Sequence, residues 1–216
     1  LTLIVPLPPT QKYYRSRPLN MLGFLVGHEG KGSLLSLLKE EGLASGLSAG
    51  GGDSTSSYTS FNINIQLTPK GLKRYTKVIE STFQYLRLLR EKSLPRYVYE
   101  EVRRMAEIDY RFAEKTGGTR LVNMFSLLMQ IYPLRSVEST PFLISEYRPR
   151  LFDSMLFRLI PENMLALLAA KDLQTDRIEK YYGTEYAYLE NRGDLIKKWK
   201  KAKSHPKLSM PEANPF

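Results

Sequence analysis

The 216-residue chain has no cysteine, two histidines and a single tryptophan. Without thiols it can build no disulfide scaffold, no thiolate zinc site and no cysteine nucleophile, and a reducing compartment, the cytoplasm, is the expected address. No apolar run approaches the ~20 residues that would cross a bilayer, so no membrane partner is expected. The opening Leu1-Thr-Leu-Ile-Val5 is too short for a signal-peptide core, follows no basic leader and does not begin with Met. It reads as a strand entered in mid-sequence, the expectation being a segment excised from a longer polypeptide. What is present suits a packed core: 42% apolar residues, with fourteen Tyr and nine Phe. That length and composition fit one large domain or two small ones.

The formal net charge is +10. A basic balance points to anionic partners, nucleic acid among them, if the charge is gathered on one face. Half of the excess lies in residues 192–216, where seven Lys/Arg face only Asp194 and Glu212. Elsewhere the signs are mixed, and no one-sided stripe is visible. A solvated surface ending in a basic C-terminal segment is the simpler reading.

Along the chain, Leu3-Ile4-Val5 followed by Pro6, Pro8 and Pro9 predicts a strand with a proline-rich exit. An apolar cluster, Met21 to Val26, leads into Gly27-His-Glu-Gly-Lys-Gly32. Ser33 is placed to cap a helix over 34–41, with Gly42 as its stop. Small residues dominate 43–49, and Phe61-Asn-Ile63-Asn-Ile65-Gln-Leu67 alternates strictly. The two segments predict a hairpin with a flexible tip over 50–57. Phe61, Ile63, Ile65 and Leu67 should face the helices, and Asn62, Asn64 and Gln66 the other side.

Thr68-Pro69 opens a long helix with Leu72, Tyr75, Ile79, Phe83 and Leu86 on one stripe. A second starts at Pro95 and aligns Val98, Val102, Met105, Ile108 and Phe112. Helical patterns follow over 120–132 and 150–159. Met164 to Ala170 suits a short buried strand, 181–190 a strand or extended segment, and 195–203 a last helix. The order β, α, β-hairpin, helices, β, α predicts an α+β fold, a mainly antiparallel sheet with helices packed on one face. The whole chain, 1–216, reads as a single domain.

Chemistry is sparse. His28-Glu29 is the one zincin-like pair, yet a zinc helix needs two imidazoles one turn apart. Position 32 is glycine where H-E-x-x-H needs histidine, and Val26 and Gly30 stand where H-x-x-E-H would need them. The other histidine, His205, lies in the basic segment. The run Gly27-x-x-Gly30-x-Gly32-Ser33 matches neither a P-loop nor a dinucleotide fingerprint. As a tight turn into a packed helix it is ordinary. The carboxylates at Glu80, Glu91, Glu100, Glu101 and Glu107 sit among Lys and Arg on helices, as solvated i,i+4 pairs do. No catalytic residue and no metal ligand is assigned, so the chain should bind no zinc and hydrolyse no peptide.

Gly27-His-Glu-Gly-Lys-Gly-Ser-Leu-Leu-Ser-Leu-Leu-Lys39 with Gly42 resembles the G-H-E-G-x-G-S-L-L-x-x-L-K-x-x-G stretch of the insulinase/pitrilysin family of zinc metallopeptidases. Pro6-x-Pro-x-x-x-Lys12-Tyr-Tyr14, Glu146-Tyr-Arg-Pro149, Pro161-Glu-Asn163, Lys180-Tyr-Tyr-Gly-Thr-Glu-Tyr186 and Leu195-Ile-Lys-Lys-Trp199 are similar to it as well. The resemblance spans the chain, is closest to the insulin-degrading branch, and points to the family's second, non-catalytic domain. It implies a wall of a peptide-degrading chamber whose zinc is held by another domain carrying H-x-x-E-H.

The resemblance also implies a substrate exosite, an exposed edge strand to which a peptide adds. The matching positions are Gly27 and Glu29 in the turn and Leu47, Ser48 and Ala49 on the strand. Glu29 would hold a peptide's amino terminus. Ala49 stands where the family usually has glycine, and Phe24 where the insulin-degrading branch has histidine. The implied partners are the remaining domains of its own polypeptide and peptide substrates. Two alternatives stay open: a relative without activity, of the processing-peptidase core-subunit type, and a basic nucleic-acid-binding module.

Overall fold

A computed structural model describes residues 1–114, 117–189 and 193–214. Its centre is a four-stranded sheet in the order β2-β3-β1-β4, every neighbouring pair antiparallel. The strands are β1 (Thr2–Leu7), β2 (Ala44–Ser54), β3 (Thr59–Leu67) and β4 (Leu165–Leu167). Alternation fixes the register. Leu3 lies opposite Ile63, Val5 opposite Phe61 and Leu47 opposite Ile65, and all six side chains are buried. On the other face Ser48, Asn64 and Gln66 are exposed. The expected amide and apolar faces of β3 are both observed, since a slip by one residue would bury the amides.

Helices cover the apolar face only. They are α1 (Pro18–Val26), α2 (Leu34–Glu40), α3 (Pro69–Lys73), α4 (Tyr75–Lys92), α5 (Arg96–Arg111), α6 (Gly118–Leu128), α7 (Pro149–Leu156) and α8 (Gly193–Lys200). A separate two-stranded ribbon pairs β5 (Arg177–Ile178) with β6 (Glu185–Tyr186). The fold is the expected α+β layering.

Local chemistry sets the boundaries. The Ser33 side chain accepts from Ser36 N–H at 3.1 Å and so caps α2. Gly42, at φ +68°, ends it: Leu43 N–H reaches back to Leu38 O at 2.8 Å. Thr68 accepts from Gly71 N–H and donates to Gly42 O at 2.7 Å, tying the α3 start to the α2 end. Tyr85, fully buried in α4, donates its hydroxyl to Leu25 O at 3.0 Å and links α4 to α1.

Several expectations are corrected. The Met21–Val26 cluster belongs to a helix, α1, begun by Pro18 at its first turn. The hairpin tip is 55–58, because β2 runs on to Ser54, with Gly50 and Gly51 paired to Asn62 and Phe61 and Ser54 to Thr59. The long helix breaks at Arg74, where φ −122° and ψ 29° leave the helical region. The α5 stripe is buried only at Val98 and Val102, while Ile108 is 57% and Phe112 73% exposed. β4 is a three-residue exposed edge rather than a buried strand, with Leu165 56% and Leu167 49% exposed. Of the segment 181–190 only Glu185–Tyr186 is strand, and the last helix closes at Lys200. Glu190, Arg192 and Phe216, which bound two expected segments, lie outside the described residues.

Candidate functional site

The sheet has two edges, and the longer is β2. Ile65 exchanges both backbone bonds with Leu1: its N–H donates to Leu1 O at 2.8 Å, and its carbonyl accepts from the Leu1 amino group at 3.0 Å. Odd residues of β3 therefore turn their backbone to β1, and Asn62, Asn64 and Gln66 turn theirs to β2. Their partners in register are Gly50, Ser48 and Gly46. It follows that Leu47, Ala49 and Gly51 direct N–H and C=O away from the sheet, as an unpaired edge does.

Helix α1 forms the floor beside this edge. A Cβ on Gly23 would stand 2.9 Å from Ala49 O, and one on Gly27 would stand 3.5 Å from Ala49 N. Two glycines one helical turn apart thus leave both outward groups of Ala49 clear of side chain. Gly27 closes α1, its N–H donating to Gly23 O at 2.8 Å. Glu29, two residues on, is exposed, and its carboxylate faces Lys39 Nζ at 3.8 Å. Phe24 of α1 and His28, just beyond the helix end, have ring centroids 6.2 Å apart.

The structure therefore brings Gly27 and Ala49 together and sets Leu47 on the same open edge. It does not do so for Ser48, whose backbone is turned inward to Asn64. Ser48 instead shows its side chain on the uncovered sheet face. Gly23 and Gly51 were missed. The signal for Gly23 was there, a glycine inside an apolar run four residues before Gly27.

The turn after α1 is clasped by residues near the C-terminal end of the described chain. Ser209 N–H donates to Gly32 O at 2.9 Å. Gly32 sits at φ +80°, and a Cβ there would lie 1.9 Å from Ser209 Oγ. Lys207 pairs with Glu40, and Tyr97 donates to Pro211 O at 2.7 Å.

These surroundings do not suit zinc. The imidazole of His28 folds over its own turn, 2.5 Å from where a Gly30 Cβ would be. His205 Nδ1 accepts from Lys207 N–H at 3.3 Å. Among the described residues, no three His, Cys, Asp or Glu side chains gather as metal ligands would. No helix among them is long and apolar enough to cross a membrane.

Residues 1–105 match the family model for the peptidase M16 inactive domain, and residues 110–216 that for the middle or third domain of peptidase M16. Human insulin-degrading enzyme is 35% identical over 208 residues, 95% of this chain and 20% of that protein. Human nardilysin is 32% identical over 223 residues, all of this chain and 19% of that protein. The crystal structure of pitrilysin superposes with a TM-score of 0.91 at 22% identity, over 99% of this chain and 23% of that one. The peptidase M16 inactive domain from Pseudomonas fluorescens gives 0.51 at 18% identity, over 76% and 39%. The chain belongs to the peptidase M16 family, the insulinase/pitrilysin metallopeptidases, and spans about a fifth of the length of the curated relatives it matches.

Proposed function

We propose that this chain is a substrate-binding wall of the chamber in a zinc metalloendopeptidase that degrades peptides, and that a peptide adds as a fifth strand along the open edge of β2. The single observation behind this reading is the pair of outward backbone groups on Ala49, kept clear by Gly23 and Gly27. Leu47, Ala49 and Gly51 would donate and accept the main-chain bonds, which read no side chain and so suit varied peptides. Gly27 would floor the groove, and Glu29, exposed at its side, would attract a peptide's amino group. Zinc and its activated water would belong to another domain of the same polypeptide, and this chain alone would be inactive. The cytoplasm is the compartment that fits a chain without cysteine.

Each main-chain bond contributes only about 0.5–1.5 kcal/mol net. Two or three of them, less the cost of ordering the peptide, give weak binding by this chain alone, and useful affinity needs the other walls. The test is cleavage of a long and a short peptide by the full-length enzyme carrying Ala49→Pro, which deletes an outward donor. Selective loss on the long peptide, which alone reaches both edge and zinc, is expected. Ser48→Ala should leave both rates unchanged. Equal cleavage ratios for Ala49→Pro and wild type, with normal folding, would remove the edge from the binding site.

A further inference from the structure

A cavity of about 570 Å³ opens between the start of α1 and the β2–β3 tip. Arg17 lines it, together with Tyr13, Tyr14, Tyr132, Asn20 and Ser56, and no Asp or Glu is among its described lining residues. Arg17 is half-buried, and no carboxylate lies within ion-pair distance of it among the described residues. Among the described residues its guanidinium donates to two backbone carbonyls, Phe142 O and Thr140 O, each at a long 3.4 Å. Its neighbour shows the contrast: Arg15 is paired with Glu146 at 3.6 Å.

The backbone at Arg17 is also costly. It holds φ 40° and ψ 60°, the left-handed region that a long side chain rarely enters. Strain of this kind persists where the surroundings demand a particular placement. Here it sets Arg17 at the wall of a cavity lined by tyrosine, serine and asparagine residues, with no carboxylate among the described lining residues. Burial also pulls the guanidinium's pKa below the ordinary arginine value. A desolvated, unpaired cation is a debt that an incoming anion would cancel.

We propose that this cavity binds a carboxylate, held by the Arg17 guanidinium with the Tyr13, Tyr14, Tyr132 and Asn20 polar groups around it. A guanidinium meets a carboxylate through two parallel N–H donors, and one positive charge balances one negative charge. Phosphate, which carries about −1.5 to −2 near neutral pH as a monoester, would leave the half-buried site net negative. The two sources of the group are a peptide's C-terminal carboxylate and an acidic side chain. This assignment stands apart from strand addition on β2, and either can fail without the other.

The test is calorimetric titration of the protein with four probes: N-acetylphenylalanine, its amide, N-acetylglutamic acid α-amide, and inorganic phosphate. At least one carboxylate probe should bind, with the amide about tenfold or more weaker, as expected for losing a hydrogen-bonded charge. The tighter of the two carboxylates identifies the source. Arg17→Asn should abolish the acid-over-amide preference without lowering Tm, because asparagine enters the left-handed region readily. Arg17→Lys, which keeps the charge and loses the fork, should fall between. Equal binding of acid and amide by the wild type, binding by neither acid, or tighter binding of phosphate would overturn the assignment, as would an unchanged preference in a folded Arg17→Asn protein.

Discussion

The two halves of the chain are about equally supplied with apolar residues and bury them very differently. Before residue 105, β1, β3, α1, α2 and α4 share one core in which Leu22, Leu25, Leu38, Phe61 and Tyr85 are fully covered. After it, α6 carries Leu121, Val122, Met124, Phe125, Leu127 and Leu128 and buries none of them. The second half docks at a few points. Phe152, Met155 and Leu156 of α7 enter the core, and Trp199 of α8 stacks on Phe83 at 6.4 Å while its indole N–H reaches Thr76 O. Hydrophobicity thus states a demand for cover, and topology decides whether the chain itself meets it.

The largest effect expected from this contrast is Phe61→Ala, which should cost about 3–5 kcal/mol in denaturant unfolding. Phe112→Ala in the second half should stay within about 0.5 kcal/mol. Similar costs at the two sites would erase the distinction. Trp199→Ala comes next, since it removes a buried indole from a docking point. Hydrogen exchange should rise in α8 while β1 and β3 keep their protection, and loosening of both halves together would mean they fold as one unit.

A smaller effect is due at Tyr85. Tyr85→Phe leaves Leu25 O without its donor and should cost about 1 kcal/mol. Burial also raises the Tyr85 pKa well above its ordinary value. A raised folded-state pKa means the stabilisation is complete below the unfolded value of about 10 and is lost as pH climbs from there. Stability measured across alkaline pH should fall less steeply in Tyr85→Phe. An identical slope would assign the loss to other tyrosines.

Much of the first half was legible because its signals are periodic. The alternation over 61–67 gave strand, register and buried face, and Ser33 with Gly42 bounded α2. The hairpin tip was misplaced because Gly50 to Gly52 have turn composition, whereas pairing of Gly50 and Gly51 with β3 carries the strand on to Ser54. The candidate site was half legible. Gly27, Leu47 and Ala49 followed from resemblance and do meet at one edge. Which residues of β2 face outward depends on parity, and parity is set by Leu1 pairing with Ile65, a contact 64 positions apart. The α5 stripe could not reveal its exposed end, because helical periodicity marks a face without naming what covers it.

The clasp of Ser209 on Gly32 closes a loop of well over a hundred residues, and loop closure grows only logarithmically, by about 0.6 kcal/mol for each doubling of length. The tail is therefore indifferent to how much chain lies between its two anchors. Residues could be added or trimmed at the β5–β6 ribbon, and the strap would still find the turn at nearly the same free energy. In engineering terms, this is a port: a place to splice in a tag or a reporter domain while the groove beside Ala49 keeps its shape.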